Sequence, residues 1–436
     1  MLFRSPITLL PAFGKLLERV LAARLLDQLS RVPGSAMQFG FRQGVSTTDA
    51  ISATLSWVDA CPEKYVIGIF LDISGAFDNA WWPAILTALE SRGVSTDLRR
   101  IIYDYFCDRE VYLQDGDIKV KKTLTRGCPQ GSVLGPILWN VVFDGILAMP
   151  LLGCGTIAYA DDTLLLVGGA SRRVIENRAA DSLARILDWG TKNKLSFAPQ
   201  KSSAVLFKGR LARKPSIVMG GSRIGVRDQV TYLGLVLDSR RSFMPHARYI
   251  GERAKVAFHA IARLAGAGWG LNASTLKLMY TAIYLGILAY APSVWAPWCV
   301  GVQQVRRVVL RSQRTPLLAM TKAYRTCSTD ALPVLAGLLP ADLAIVERAA
   351  NYELARFRSF DAGTLHFEYI VEEPLAIRKK RINEIVCAHW QSRWDSPISK
   401  GETTRLFFPN VSERLEKNWL VSDYYTSQFL TGHGAF

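Results

Sequence analysis

The sequence predicts an α+β fold in which a sheet-bearing N-terminal half precedes a helical C-terminal half. Three observations carry this. Short apolar runs rich in β-formers recur between residues 65 and 238, and helical periodicity fills the gaps between them and dominates afterwards. At 436 residues the chain exceeds one ordinary domain. Its hydrophobic fraction of 49% and aromatic content of 10% supply real cores and exclude a disordered basic tail.

Phe13, Leu16, Leu17, Val20, Leu21, Leu25 and Leu29 mark one face of a first helix. A glycine-containing loop, Gln38 to Gly44, precedes a second helix over 47–60. Tyr65 to Leu71, preceded by Pro62, reads as a buried strand ending at Asp72. Residues 84–107 read as one helix, and runs at 111–114 and 118–124 flank Asp115-Gly116-Asp117 as a hairpin. Gly127, Pro129 and Gly131 form a loop that opens onto a buried helix beginning near Val133. Two strands, 156–159 and 164–167, enclose Ala160-Asp161-Asp162-Thr163; a helix over 172–194 and strands at 203–207 and 230–238 follow, the last turning at Gly234.

The formal net charge is +16, and it is unevenly placed. Residues 1–200 hold 21 bases and 20 acids, residues 201–329 hold 20 and 3, and residues 330–436 hold 12 and 14. Such a segment faces a polyanion, with nucleic acid ahead of a membrane surface. The uncharged run Leu278 to Val305 is long enough to cross a bilayer. Pro292, Pro297, Gly286 and its central Tyr and Trp residues favour a buried helix and turn, so no membrane partner is expected. Seven cysteines without a Cys-x-x-Cys pair read as reduced, intracellular thiols.

Apolar strands ending in Asp72 and in Asp161-Asp162 are costly as pure structure, because clustered acids need a cation or hydrogen-bond donors. Mg²⁺ suits them, since it prefers oxygen ligands and takes one or two carboxylates plus substrate phosphates. On spacing alone, Asp161-Asp162 reads equally well as a turn.

Three ordered segments, Phe70 to Asp78, Arg126 to Pro136 and Tyr159-Ala160-Asp161-Asp162, closely resemble motifs A, B and C of reverse transcriptases. Gln38-Phe39-Gly40-Phe41-Arg42 resembles a finger motif, Leu195 to Lys201 motif D, and Tyr232 to Asp238 the primer grip. Trp139-Asn140 and the ending Gln428 to Gly434 are similar to insect non-LTR retrotransposons, in particular the type-1 elements that insert into ribosomal RNA genes. The resemblance implies a right-hand polymerase: partial fingers over 1–62, a palm with an antiparallel sheet over 63–238, and a basic helical thumb over 239–329. A nucleic-acid-binding, endonuclease-associated region over 330–436 would follow. The whole would be a fragment of a longer polyprotein, since Ser5 interrupts the usual Arg-Pro finger sequence and the family continues beyond both ends.

The same resemblance implies the roles. Asp72 and Asp161 would bind two Mg²⁺ ions, with Asp162 supporting the second carboxylate. Phe77 would be a steric gate against the ribose 2′-OH, and Gln130 and Gly131 would form a nucleotide-binding loop. Tyr159 would pack near the primer end, while Lys201 and Arg42 would lie near the triphosphate. Arg306, Arg307, Arg311 and Arg314, three to four residues apart, would present guanidinium groups to a phosphate backbone. The partners implied are an RNA template, a DNA primer or target and dNTPs, in the nucleus. Arg378-Lys379-Lys380-Arg381 reads as an import patch or as a helix surface. The opposing reading is a catalytically inactive nucleic-acid-binding remnant.

Overall fold

The computed structural model describes residues 11–129, 131–262, 272–417, 420 and 423–433. The chain divides into two compact units, one running to Leu233 and including Asp238–Arg240, the other comprising Gly234–Leu237 and Arg241 onward.

The first unit opens with helices α1 (Ala12–Arg31) and α2 (Thr47–Ala60), the latter started by a capping box between Ser46 and Asp49. Strand β1 (Tyr65–Leu71) follows, then α3 (Trp82–Ser91), α4 (Thr96–Phe106) and the hairpin β2 (Glu110–Asp115) and β3 (Ile118–Thr123). Next come α5 (Gly135–Leu147), β4 (Cys154–Tyr159), β5 (Asp162–Gly169), α6 (Arg172–Lys192), β6 (Ser203–Lys208), β7 (Ile217–Met219) and β8 (Ser222–Arg227). Six strands form one sheet in the order β4-β5-β1-β6-β8-β7. The continuous apolar run of β1 is explained by its place inside this sheet, antiparallel to both β5 and β6. The helices pack on the sheet through Ile67, Ile69, Leu71, Leu138, Val142 and Ile186, among others.

Two expectations are revised here. The single helix over 84–107 is two helices, because the chain turns at Gly93 with φ 70°, a conformation glycine adopts freely. Helix α1 buries Leu21, Leu25 and Leu29 but exposes Phe13, Leu16, Leu17 and Val20; its inward stripe also contains Glu18 and Ala22. Strands β7 and β8 were not expected, although Gly220-Gly221, with φ 54° and 76°, is the kind of pair that makes a tight hairpin.

The chain passes between the units through β9 (Gln229–Tyr232) and β10 (Leu235–Asp238). The second unit begins with α7 (Met244–Ala262), α8 (Ala273–Met279), a π-helical turn over Tyr280–Tyr284, α9 (Leu285–Leu288), α10 (Pro292–Gly301) and α11 (Gln303–Thr321). It continues with α12 (Ala331–Ala336), α13 (Ala341–Leu354), a small hairpin of β11 (Phe360–Ala362) and β12 (Leu365–Phe367), and α14 (Leu375–Asp395). Three short helices close it: Glu402–Phe407, Val411–Glu416 and Tyr424–Thr431.

The long uncharged run is broken here, with Ala291 at φ 44° and a 94° bend between Ala273–Leu288 and Pro292–Gly301. Its Tyr280, Tyr284, Leu288, Trp295 and Cys299 are buried within the unit. Among the described residues no single helix is long and apolar enough to cross a membrane, although the bent pair passes on length and composition. Across α13 and α14, the fully buried Asp342 carboxylate accepts from Arg393 at 2.6 Å, which supplies the partner a buried charge requires.

Candidate active site

Sheet register brings the acids to one end. Leu71 pairs with Thr163, so Asp72, just past β1, and Asp161-Asp162, at the β4–β5 turn, lie on neighbouring strands. The Asp72 backbone N–H donates to Ser202 Oγ at 3.2 Å, and its carbonyl accepts from the Ala198 N–H at 2.8 Å. These bonds tie the strand end to the loop that carries Lys201. Lys201 Nζ lies 3.9 Å from Asp72 Oδ2 with its side chain mostly in solvent, so it is an exposed cation beside that carboxylate.

Burial pushes the Asp161 carboxyl above its ordinary value, and the Asp72 charge adds to the rise while a backbone hydrogen bond opposes it. Asp162 is pushed up to about 6, first by desolvation and then by Asp161 and Asp72, although its side chain still reaches solvent. Like charges that raise one another in this way are relieved by a cation. Among the described residues no group of three or more His, Cys, Asp or Glu side chains is placed to hold a metal ion together. The donor set still fits Mg²⁺, which keeps waters and takes substrate phosphates beside one or two carboxylates.

Tyr159 pairs with Asp162, leaving Ala160-Asp161 as a two-residue turn, and Ala160 has φ 60°. Residues 37–39 run alongside β4: Gln38 bridges Ala158 in parallel, and Phe39 N–H donates to the Ala158 carbonyl at 2.8 Å. The buried Gln38 carboxamide and the Trp139 indole N–H both reach Ala160. Gly40 is required there, since a Cβ would lie 2.1 Å from the Ala160 nitrogen. Asn140 Nδ2 donates to the Gly40 carbonyl at 2.9 Å. Sequence reasoning noted Gln38, Gly40, Trp139 and Asn140 only as parts of resembling motifs and gave them no structural role; an amide two residues before a glycine in an otherwise apolar stretch was the available signal.

Phe77 is half-buried, stacked on Trp139 with ring centroids 5.1 Å apart and edge-on to Phe41 at 5.7 Å. It is thus both packed and partly open. The Phe77 carbonyl accepts from the Cys128 N–H at 2.8 Å, fastening the Phe77 turn to the Gly127–Gly131 loop. Gly131 has φ 101°, which favours glycine; Gln130, like Ser5, lies outside the described residues.

Glu18 on α1 is a further residue that sequence reasoning missed. Its buried carboxylate accepts from Val133 N at 2.6 Å, Ser132 Oγ at 2.9 Å and Tyr105 OH at 2.7 Å, anchoring the loop where it enters α5. Glu18→Ala leaves these donors unmatched, at about 1–3 kcal/mol for each unsatisfied group. A lower urea midpoint is expected, with Glu18→Gln milder.

Arg42 uses Nη1 to donate to the carbonyls of Ser35, Ala36 and Gln38 at 2.9–3.3 Å, so it braces its own loop. Tyr159 is half-buried at the end of β4. In the second unit, Arg307 and Arg311 stand exposed on α11, and Arg306 is half-buried. Arg314 is turned inward and donates to Thr329 Oγ1 at 2.9 Å and to the Cys327 and Arg325 carbonyls. A long side chain one turn further on has folded back onto free carbonyls, which spacing does not reveal. Arg378 and Arg381 likewise engage Glu373, leaving only Lys379 and Lys380 of that basic run exposed.

Residues 2–237 match the reverse transcriptase (RNA-dependent DNA polymerase) family. Over 99% of the chain, a putative 115 kDa protein of the type-1 retrotransposable element R1DM from Drosophila melanogaster is 34% identical. The Pol polyprotein of type-1 element R1 from Bradysia coprophila is 32% identical, also over 99%. The chain spans 42% and 43% of the lengths of these two relatives. A 30% identity over 58% of the chain and 29% of the relative links it to the RNA-directed DNA polymerase of the mobile element jockey from Drosophila melanogaster. Among solved structures, an apo telomerase from Candida tropicalis aligns over 94% of this chain and 60% of that one at 10% identity; its TM-score of 0.39 is too low to argue from. With a family match over more than half its residues, and similarity to type-1 element proteins along nearly its whole length, the chain belongs to the reverse transcriptase (RNA-dependent DNA polymerase) family.

Proposed function

We propose that the chain adds dNTPs to a DNA primer 3′ end on an RNA template, by two-metal nucleotidyl transfer, as the polymerase of a non-LTR retrotransposon in the nucleus. One observation supports this most: three aspartates from neighbouring strands crowd one sheet end, where burial and mutual repulsion raise Asp161 and Asp162. In this reading Asp72 and Asp161 hold two Mg²⁺ ions. When bound, the ions activate the primer hydroxyl and neutralise charge on the triphosphate.

The chain's own residues position the reactants. Lys201, exposed beside Asp72, supplies positive charge where pyrophosphate departs. Phe77, held by Trp139 and Phe41, fills the space beside the sugar, and the family resemblance assigns Gln130 and Gly131 to nucleotide contact. Phe77→Val is therefore expected to reduce discrimination against ribonucleotides by roughly 10–100-fold, the range a pocket's size difference delivers. Competitive incorporation of a dNTP and its matching NTP measures it.

Arg307 and Arg311 hold the template–primer phosphates. Replacing both by Ala is expected to reduce the slope of log affinity against log salt by about 2, near one unit for each phosphate that is no longer neutralised. Primer extension on an RNA template by wild type and Asp161→Ala tests the proposed function itself. Extension by the wild type alone supports it, and equal extension by both proteins contradicts it.

A further inference from the structure

We infer that Gln38 is a positioning residue for Asp161, acting through the turn residue Ala160; this rests on the proposed metal-holding role of Asp161. The turn cannot easily hold itself. Ala160 sits at φ 60° in a two-residue hairpin, where glycine or asparagine is the usual occupant because a Cβ crowds the following carbonyl. An alanine there must be held from outside.

Gln38 is placed to do so. Its side chain is 4% exposed and meets both backbone groups of Ala160: Oε1 accepts from Ala160 N at 3.0 Å, and Nε2 donates to the Ala160 carbonyl at 3.2 Å. Oε1 also accepts from Gly40 N at 2.9 Å, so two N–H groups face the oxygen and a carbonyl faces the nitrogen. Only one orientation of the amide satisfies that arrangement. The Trp139 indole donates to the same Ala160 carbonyl at 3.2 Å. The peptide groups on both sides of Ala160 are therefore fixed, and with them the direction in which Asp161 leaves the turn. Gln38 meets no reacting atom in this scheme. A buried amide 122 residues away in sequence sets the geometry that the turn's own residue disfavours.

The test is a double-mutant cycle between Gln38→Met, which keeps volume and removes the hydrogen bonds, and Ala160→Gly, which lets the turn adopt positive φ unaided. Two readouts separate the clamp from the proposed function. Urea unfolding of the metal-free protein tests the clamp alone: Gln38→Met should lower the midpoint at least twice as much in the wild-type background as in the Ala160→Gly background. Mn²⁺ titration followed by electron paramagnetic resonance tests its purpose. Gln38→Met should weaken Mn²⁺ binding roughly tenfold in the wild-type background and by less than threefold in the Ala160→Gly background. Equal effects in both backgrounds in the urea readout, or in the Mn²⁺ readout where Asp161→Asn itself weakens binding, would overturn the inference, because a merely structural glutamine is indifferent to residue 160. A cycle that couples in urea while Asp161→Asn leaves Mn²⁺ affinity unchanged would retain the clamp, reject its link to metal, and count against the proposed function.

Discussion

Asp161→Asn is expected to lower the rate of nucleotide incorporation by at least about 10³-fold, while the metal-free protein becomes no less stable. The first half follows from losing a proposed metal ligand, whose charge stabilisation would be worth several kcal/mol, where about 1.4 kcal/mol is tenfold in rate. The second half follows from linkage. Burial and neighbouring charge raise Asp161 and take Asp162 to about 6, above the ordinary aspartate value. The folded state therefore holds protons that the unfolded state releases. Without metal, stability contributed at low pH is lost as pH rises through about 6, and the loss is moderated because Asp162 still reaches solvent. Removing the Asp161 charge relieves the repulsion, so the metal-free urea midpoint above pH 6 should stay level or rise. Mg²⁺ should stabilise the wild type in that range and the variant much less. A purely structural aspartate behaves oppositely, with stability falling on substitution.

Trp139→Ala is expected to lower the unfolding free energy of the first unit by about 3–5 kcal/mol, the usual range for truncating a large buried aromatic. Trp139 is fully buried, stacks on Phe77 and on Phe143, and donates to Ala160. The same indole therefore supports both Phe77, the proposed gate, and the turn that carries Asp161. Trp139→Phe retains ring packing but loses the N–H, at about 1 kcal/mol for a hydrogen bond. Urea unfolding should rank wild type, Trp139→Phe and Trp139→Ala in descending stability. Nucleotide discrimination should fall sharply only in Trp139→Ala, where Phe77 loses its platform.

The central strand and the Asp161-Asp162 hairpin were legible because their chemistry is local. Tyr65 to Leu71 is apolar and β-rich, and both it and the hairpin end in acids that a sheet would otherwise avoid. The chemistry that holds those acids was not local. Gln38 and Ala160 meet across 122 residues, and Glu18 meets Val133 across 115, and neither pairing leaves a periodic trace. Helical spacing placed Arg307, Arg311 and Arg314 together, yet Arg314 folds back onto carbonyls of the following loop. Periodicity reports where a Cβ points, not where a long side chain finds its acceptor. The charge pattern was also coarser than the fold. Residues 201–240 carry 8 bases against 2 acids and belong almost wholly to the first unit, so the basic excess is not confined to the helical unit.

Counting Mn²⁺ ions bound to the protein with RNA template, DNA primer and dNTP tests the central claim most directly, when wild type is compared with Asp72→Asn and Asp161→Asn. Two bound ions in the wild type and at most one in each variant is the predicted result. The same number of ions in all three proteins would contradict the assignment of these aspartates as the metal-holding centre.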